Sequence, residues 1–471
     1  MNRVLSGLKP GRVFEIFEDI CAIPHGSGNT EAISNYCVEF AVKRGLDVYR
    51  DDFNNVIIKK PASGGYENSA PVVLQGHLDM VCEKEPGFDF DFKKDGLCLK
   101  TEGDFVSAHN TTLGGDDGIA IAIILSILDD DSLSCPPVEA VFTTDEETGM
   151  YGAAGLDVSI ITAKRFINID SENEGVFTVG CAGGARVDMS VPLKTEVLPK
   201  SAYRIKISGL SGGHSGTEIN KGRLNANKLL GKFLAELEKV FIGEIYGGSK
   251  DNAIPVFATC VMASDEDVIV RAAEFEKQNR VSADDGLRVT VERCRCDRFF
   301  DLESSNKIIG LINALPFGVI ALSRDIKGLV ETSLNVGIIK SCNDNFSVSL
   351  SVRSSKSAEK EAIINNLKII GGDFGARVTV RGDYPAWEYR QTSPLRETMT
   401  SVYKRMYGKE PCIEVIHAGL ECGLFSQKID DIDAVSVGPD LFDVHTPRER
   451  LSISSVKRTY KFICGVLEEL K

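Results

Sequence analysis

The stretch Pro71-Val72-Val73-Leu74-Gln75-Gly76-His77-Leu78-Asp79-Met80-Val81 decides the fold. Residues 72–77 are a short, mostly apolar run bounded by Pro71 and Asp79, so they read as a buried strand. A strand buried on both faces belongs to a parallel sheet covered by helices. The same texture recurs outward from it, with short apolar strands at 138–143 and 166–169 and helical spacing at 13–21, 31–43 and 118–128. Strands separated by helices predict a mostly parallel sheet. From 186 to 383 the texture changes, with strands at 203–208, 257–262, 287–291, 334–339 and 346–352 and helices at 225–239, 265–277, 306–315 and 358–367. The strand–helix start and strand–strand–helix–strand end of this region suggest an α+β unit of ferredoxin-like type enlarged by an insertion. After Tyr384-Pro385 the first pattern returns: a helix from Leu395, strands at 412–416 and 434–437, and a helix at 454–470. The expected architecture is an α/β domain with a mostly parallel mixed sheet, residues 1–185 and 384–471, interrupted by an inserted α+β lid domain, residues 186–383.

The chain has 471 residues, 43% apolar and 26% charged, as in an ordinary globular protein. Its 54 basic and 68 acidic residues leave a net charge of −14, which repels nucleic acid and anionic membranes. Residues 2–12 hold no apolar signal core, and no run of about 18 apolar residues exists. The 13 scattered cysteines form no zinc-ribbon pattern and read as reduced thiols of a cytoplasmic protein. Histidine is scarce, with six in all, so the position of each carries weight.

In open α/β sheets, function gathers at the carboxyl ends of strands. Four segments place metal-competent side chains there: Gly76-His77-Leu78-Asp79; the Gly-rich turn Thr111 to Gly118 containing Asp116; Asp145-Glu146-Glu147 after a strand; and Asn168-Ile169-Asp170. Asp443-Val444-His445 lies on a later loop. On strand alternation, Asp79 shares a face with His77 and can fix its ring. Taken singly, each segment also reads as a capping pair or a solvated acidic face. Together they supply nitrogen and oxygen donors suited to zinc, manganese or cobalt. A carboxylate shared by two ions holds them about 3.5–4 Å apart.

HLDMV at 77–81, TTLGGDDGI at 111–119, TTDEETG at 143–149, NIDSE at 168–172, GGHSG at 212–216 and HAGLECGLF at 417–425 resemble the dinuclear zinc peptidase family that includes carboxypeptidase G and the aminoacylases. CAGG at 181–184, NANKLL at 225–230, NAIP at 252–255 and ETSLNVG at 331–337 are similar to its aminoacyl-histidine dipeptidase branch, also called Xaa-His dipeptidase or peptidase D. One departure is Asp117, where that branch usually has Asn, which adds a possible negative charge beside the metals.

The resemblance implies a metallopeptidase with two divalent ions, zinc first and cobalt or manganese as alternatives. One ion is held by His77, Asp116 and Asp170, the other by Asp116, Glu147 and His445. It implies Glu146 as general base toward a metal-bridging hydroxide, with Asp79 orienting His77. The lid domain then supplies His214 for the oxyanion, and Asn252 and Arg353 for the substrate's terminal carboxylate. Arg353 suits that task because its fork pairs bidentately with a carboxylate. Glu421 could pair with a free α-amine or be a buried structural carboxylate. The expected activity is hydrolysis of Xaa-His and related unsubstituted dipeptides. An aminoacylase or deacylase of N-acyl amino acids is the alternative on the same fold, and a non-catalytic peptide-binding protein a remote one. Expected partners are small peptides, not nucleic acid or membranes, and the lid admits a homodimer.

Overall fold

The computed structural model describes residues 3–198 and 201–471. It divides into two compact units: Met1–Gly180 with Tyr389–Val415 and Leu420–Lys471, and Cys181–Glu388 with Ile416–Gly419. The exchange therefore falls a few residues from the 185/186 and 383/384 expected from sequence, and the short piece 416–419 joins the second unit. Backbone hydrogen bonds explain the difference. Cys181 and Trp387 exchange bonds of 2.9 and 3.1 Å, and Ala182 N–H donates to Ile416 O at 3.1 Å.

The first unit is built on an eight-stranded sheet in the order Asp47–Arg50, Val56–Lys60, Val138–Thr143, Val72–His77, Arg165–Asn168, Asp433–Ser436, Val176–Cys181, Cys412–Ile416. Its centre is parallel: Val72–His77 lies between Val138–Thr143 and Arg165–Asn168, with His77 opposite Thr143 and Gln75 opposite Asn168. Val72–His77 is buried at every residue, as its apolar run predicts. Against it packs the helix Gly115–Asp129, which in turn packs on Gly11–Cys21. Asp116 and Asp117 have non-helical backbone and a cis bond between them, so the regular helix begins at Gly118. Ile119, Ile121, Ile123, Ile124, Leu125 and Ile127 are fully buried. Burying each contributes about 1.5–3 kcal/mol. A helix apolar all round must lie inside, and this one does.

The second unit carries an antiparallel sheet ordered Arg288–Cys294, Ala202–Ser208, Ala258–Ala263, Phe241–Gly247, Val330–Cys342, Asn345–Ser354, Gly183–Pro192, Arg377–Tyr384, with Gly318–Leu322 beside Val330–Cys342. The last four give the ferredoxin-like order, and the first four extend the sheet from the Val330–Cys342 edge. Leu230, Phe233, Val336, Phe346 and Leu350 are among its core residues. None of the thirteen cysteines is joined in a disulfide. Among the described residues no helix is long and apolar enough to cross a membrane.

Candidate active site and cation centre

His77 is the last residue of its strand, and Asp170 follows the end of the neighbouring one. Asp116 sits in the turn before Gly118, Glu146 and Glu147 follow Val138–Thr143, and His445 lies between the short strands Leu441–Phe442 and Arg450–Ser452. The first unit brings them together. His77 Nε2 lies 3.1 Å from Asp116 Oδ1 and 3.6 Å from Asp170 Oδ1. His445 Nε2 lies 3.2 Å from Asp116 Oδ2 and 3.0 Å from Glu147 Oε1. The two oxygens of Asp116 thus face two different histidines. Ligand atoms of His77, Asp116 and Asp170 lie within 4.8 Å of one another, as do those of Asp116, Glu147 and His445, and of His77, Glu146 and Glu147. Two of these triads share one carboxylate, and all offer nitrogen and oxygen donors, a set that fits a pair of divalent cations.

The protonation tendencies follow from crowding. Burial opposes a charged His77, but its bonds to Asp116, Asp170 and Asp79 outweigh that and raise its pKa well above the usual histidine value. Contacts with Asp116 and Glu147 raise His445 to about 11. Burial, then neighbouring carboxylates, raise Asp170 to about 6 and Glu172 to about 7. Glu146 is pushed well above the carboxylate range by burial and by the charges of Asp170, Glu421 and Glu147. A carboxyl with a raised proton affinity is suited to accept a proton.

Asp79 differs from the expectation. The nearest partner of His77 Nδ1 is the Asp79 carbonyl oxygen at 3.0 Å, while the carboxylate stands at 3.5 Å. The strand ends at His77, so the alternation does not extend to Asp79. Its carboxylate instead accepts the backbone N–H groups of Glu146 and Glu147 at 3.1 and 3.3 Å and the Ser27 hydroxyl at 2.7 Å. Asp117 accepts the His77 N–H at 3.1 Å, and burial together with Asp170 pushes it well above the carboxylate range, towards the neutral acid. Glu421 is fully buried. Its Oε2 accepts from Gln75 Nε2 and Thr143 Oγ1, both at 2.6 Å, and its Oε1 is buried without a partner.

His214, Asn252 and Arg353 lie in the second unit. His214 Nδ1 accepts the N–H groups of Gly216 and Thr217 at 3.3 and 3.2 Å, which puts the proton of the neutral ring on Nε2. Asn252 O accepts Ser215 N–H at 2.9 Å, tying it to the same loop. Arg353 Nη1 donates to Tyr384 Oη at 3.1 Å, and its Nε is buried with no partner. Burial, then the charges of Arg353 and His214, push the neighbouring His417 down to about 4.

Residues 73–469 match the model of peptidase family M20/M25/M40. The chain belongs to this family. As an M20 peptidase it is a peptide-bond hydrolase. It is 38% identical over 480 residues to the cytosol non-specific dipeptidase of Escherichia coli (strain K12), covering 99% of each chain. It superposes on the aminoacylhistidine dipeptidase of Vibrio alginolyticus with a TM-score of 0.92 and 36% identity, covering 98% of this chain and 97% of that one. Aminopeptidase PepT from Bacillus cereus shares the fold at a TM-score of 0.61 and 16% identity, over 98% and 99% of the two chains.

Sequence reasoning missed one residue of this M20 site. Glu449, buried, accepts the backbone N–H groups of Leu113, Gly114, Gly115 and Asp116 at 2.7, 3.1, 2.8 and 3.3 Å. Burial and the Asp116 charge push its carboxyl up to about 7, against the pull of those bonds. The only trace in the sequence is an acid four residues after His445, in a charged run that reads as surface.

Proposed function

We propose that this chain is a cytoplasmic dipeptidase that hydrolyses unsubstituted dipeptides, Xaa-His among them, with two divalent cations, zinc in the first place. The observation that carries the reading is Asp116, whose two oxygens each face one histidine at the junction of two donor triads. His77, Asp116 and Asp170 would hold one cation, and Asp116, Glu147 and His445 the other. The full-length likeness to two dipeptidases supports the substrate class.

When bound, such a cation pair supplies Lewis-acid polarisation of the scissile carbonyl and acidification of water. The chain's own groups do the rest. Of the adjacent acids, Glu147 contacts His445, which leaves Glu146 to take the proton of the attacking water and deliver it to the leaving amine. Asp79 holds both acids by their backbone N–H groups and His77 by its carbonyl. His214, with its proton on Nε2, donates to the developing oxyanion. Arg353, whose buried Nε–H lacks a partner, receives the substrate's carboxylate, a task Asn252 shares. Glu421 braces the strands beneath His77 through Gln75 and Thr143. The lid unit is the expected surface for a homodimer.

The test is a panel of free dipeptides and N-acetyl amino acids assayed on protein with defined cation content. Turnover of the dipeptides and not of the acylated amino acids is expected. The reverse preference would make the chain an aminoacylase.

A further inference from the structure

The cation donors come from distant parts of the chain, and something must hold them in register. Asp116 lies in the turn 113–116. His445 lies between Leu441–Phe442 and Arg450–Ser452, which pair with each other, and Arg450–Ser452 pairs in turn with Phe105–Ala108. Glu449, the residue before Arg450–Ser452, reaches from this hairpin into the turn. Each of its oxygens accepts two backbone N–H groups: Oε2 those of Leu113 and Gly114, Oε1 those of Gly115 and Asp116. All four donors belong to consecutive residues, so one side chain fixes the path of the whole turn. The hairpin segment is itself closed on Glu449, whose N–H donates to Thr446 O at 3.0 Å, while Thr446 Oγ1 donates to Asp443 O at 2.7 Å.

The approach is too close for side chains. Gly114 has φ +66°, and a Cβ there would meet Met80 Sδ at 2.8 Å. A Cβ on Gly115 would meet Leu441 Cδ2 at 2.7 Å and Glu449 Oε1 at 3.2 Å. Gly115 therefore lets the hairpin and its carboxylate reach the turn backbone, and Gly114 allows the left-handed bend against Met80.

We propose that Glu449 is a positioning residue of the cation centre: it clamps the turn that carries Asp116 to the hairpin that carries His445, so that the shared carboxylate and that histidine meet. The inference rests on the two-cation reading above. Glu449 touches no donor atom. It acts through the backbone of Asp116 and through its own chain link to His445.

A second buried acid of the same unit provides the control. Glu139, at the other end of strand Val138–Thr143, accepts Thr162 N–H at 2.9 Å, Thr162 Oγ1 at 2.8 Å and Ala163 N–H at 3.0 Å. Each Glu→Gln change puts an amide NH2 where a carboxylate oxygen accepted backbone N–H groups, so Glu449→Gln and Glu139→Gln should both lower the melting temperature. Only the first should loosen the cation centre. The experiment titrates zinc and manganese into the cation-free intact protein and each variant by calorimetry, at a temperature where circular dichroism shows all of them folded. Glu449→Asp serves if Glu449→Gln does not fold, because its shorter arm cannot span the four N–H groups. Glu449 variants are expected to bind the cations about 10–100-fold more weakly, the usual loss when a group supporting a ligand is removed, with Glu139→Gln close to the intact protein. Equal affinity in the Glu449 and Glu139 variants overturns the proposal. No cation binding by the intact protein would instead sink the two-cation reading.

Discussion

Glu146 and Glu147 are neighbours in sequence with opposite expected tasks. Glu146→Gln should retain both cations and lose about 10²–10⁴-fold in turnover, the usual loss of a general base. Glu147→Ala should lose the cation next to His445. Elemental analysis beside kcat separates the two, and an equal fall in cation content would reverse the assignment. Arg353 has its own test. Arg353→Ala should cost about 2–4 kcal/mol in kcat/KM on dipeptides, in the range for truncating one partner of a buried charge pair. Dipeptide amides, which lack the carboxylate, should be poor substrates already and lose little more. His417 makes a pH-dependent contribution to stability. Its folded pKa of about 4 lies below the ordinary 6.5, so the folded state favours the neutral ring. That preference is intact above pH 6.5 and is lost as the pH falls towards 4, by about 3 kcal/mol at most. Urea unfolding at pH 7.5 and 4.5 should show a smaller acid penalty for His417→Gln than for the intact chain. An unchanged penalty would mean that other groups carry it.

Gly76 shows how tightly the elements around the site are fitted. A Cβ on it would meet Asp117 Oδ2 at 2.5 Å and Ala120 Cβ at 2.9 Å, between the strand that ends in His77 and the helix that follows the Asp116 turn. Gly76→Ala should destabilise the first unit by about 1–3 kcal/mol, the usual range for overpacking, measured by denaturant unfolding. The elements legible in the sequence were those buried on both faces or strongly amphipathic. Val72–His77, Val138–Thr143 and Glu31–Lys43 fall where the apolar pattern puts them. Asp47–Arg50 and Arg377–Tyr384 did not stand out, because each lies at a sheet edge with mostly exposed or half-exposed residues and little apolar signal. Among the site residues, those with metal chemistry announced themselves at strand ends. Glu449 did not, because its work is done on backbone N–H groups, which no sequence pattern displays. Asp79 was found for its carboxylate, yet the atom nearest His77 Nδ1 is its carbonyl oxygen, a distinction set by where the strand stops.

At the scale of the molecule, cation removal should be felt twice. Chelation is expected to abolish hydrolysis, and zinc, manganese or cobalt to restore it, since the donors His77, Asp116, Glu147, Asp170 and His445 have no substitute nucleophile among them. The cation-free protein should also melt at a lower temperature, because ions that bind only the folded state stabilise it by mass action. Full activity of a verified cation-free sample would remove the basis of the proposed function. The chain's route through its two units has a further effect, on the order of biosynthesis. The second unit is nearly continuous, whereas the first is assembled from three pieces. Four of the five donors leave the ribosome before the second unit is made, and His445 only after it. The nascent chain therefore passes through a long interval with a crowd of uncompensated acids and no closing histidine, while the inserted unit has all but a four-residue piece of itself at hand. On the two-cation reading, the site can close only after the inserted unit has been synthesised and His445 has followed it.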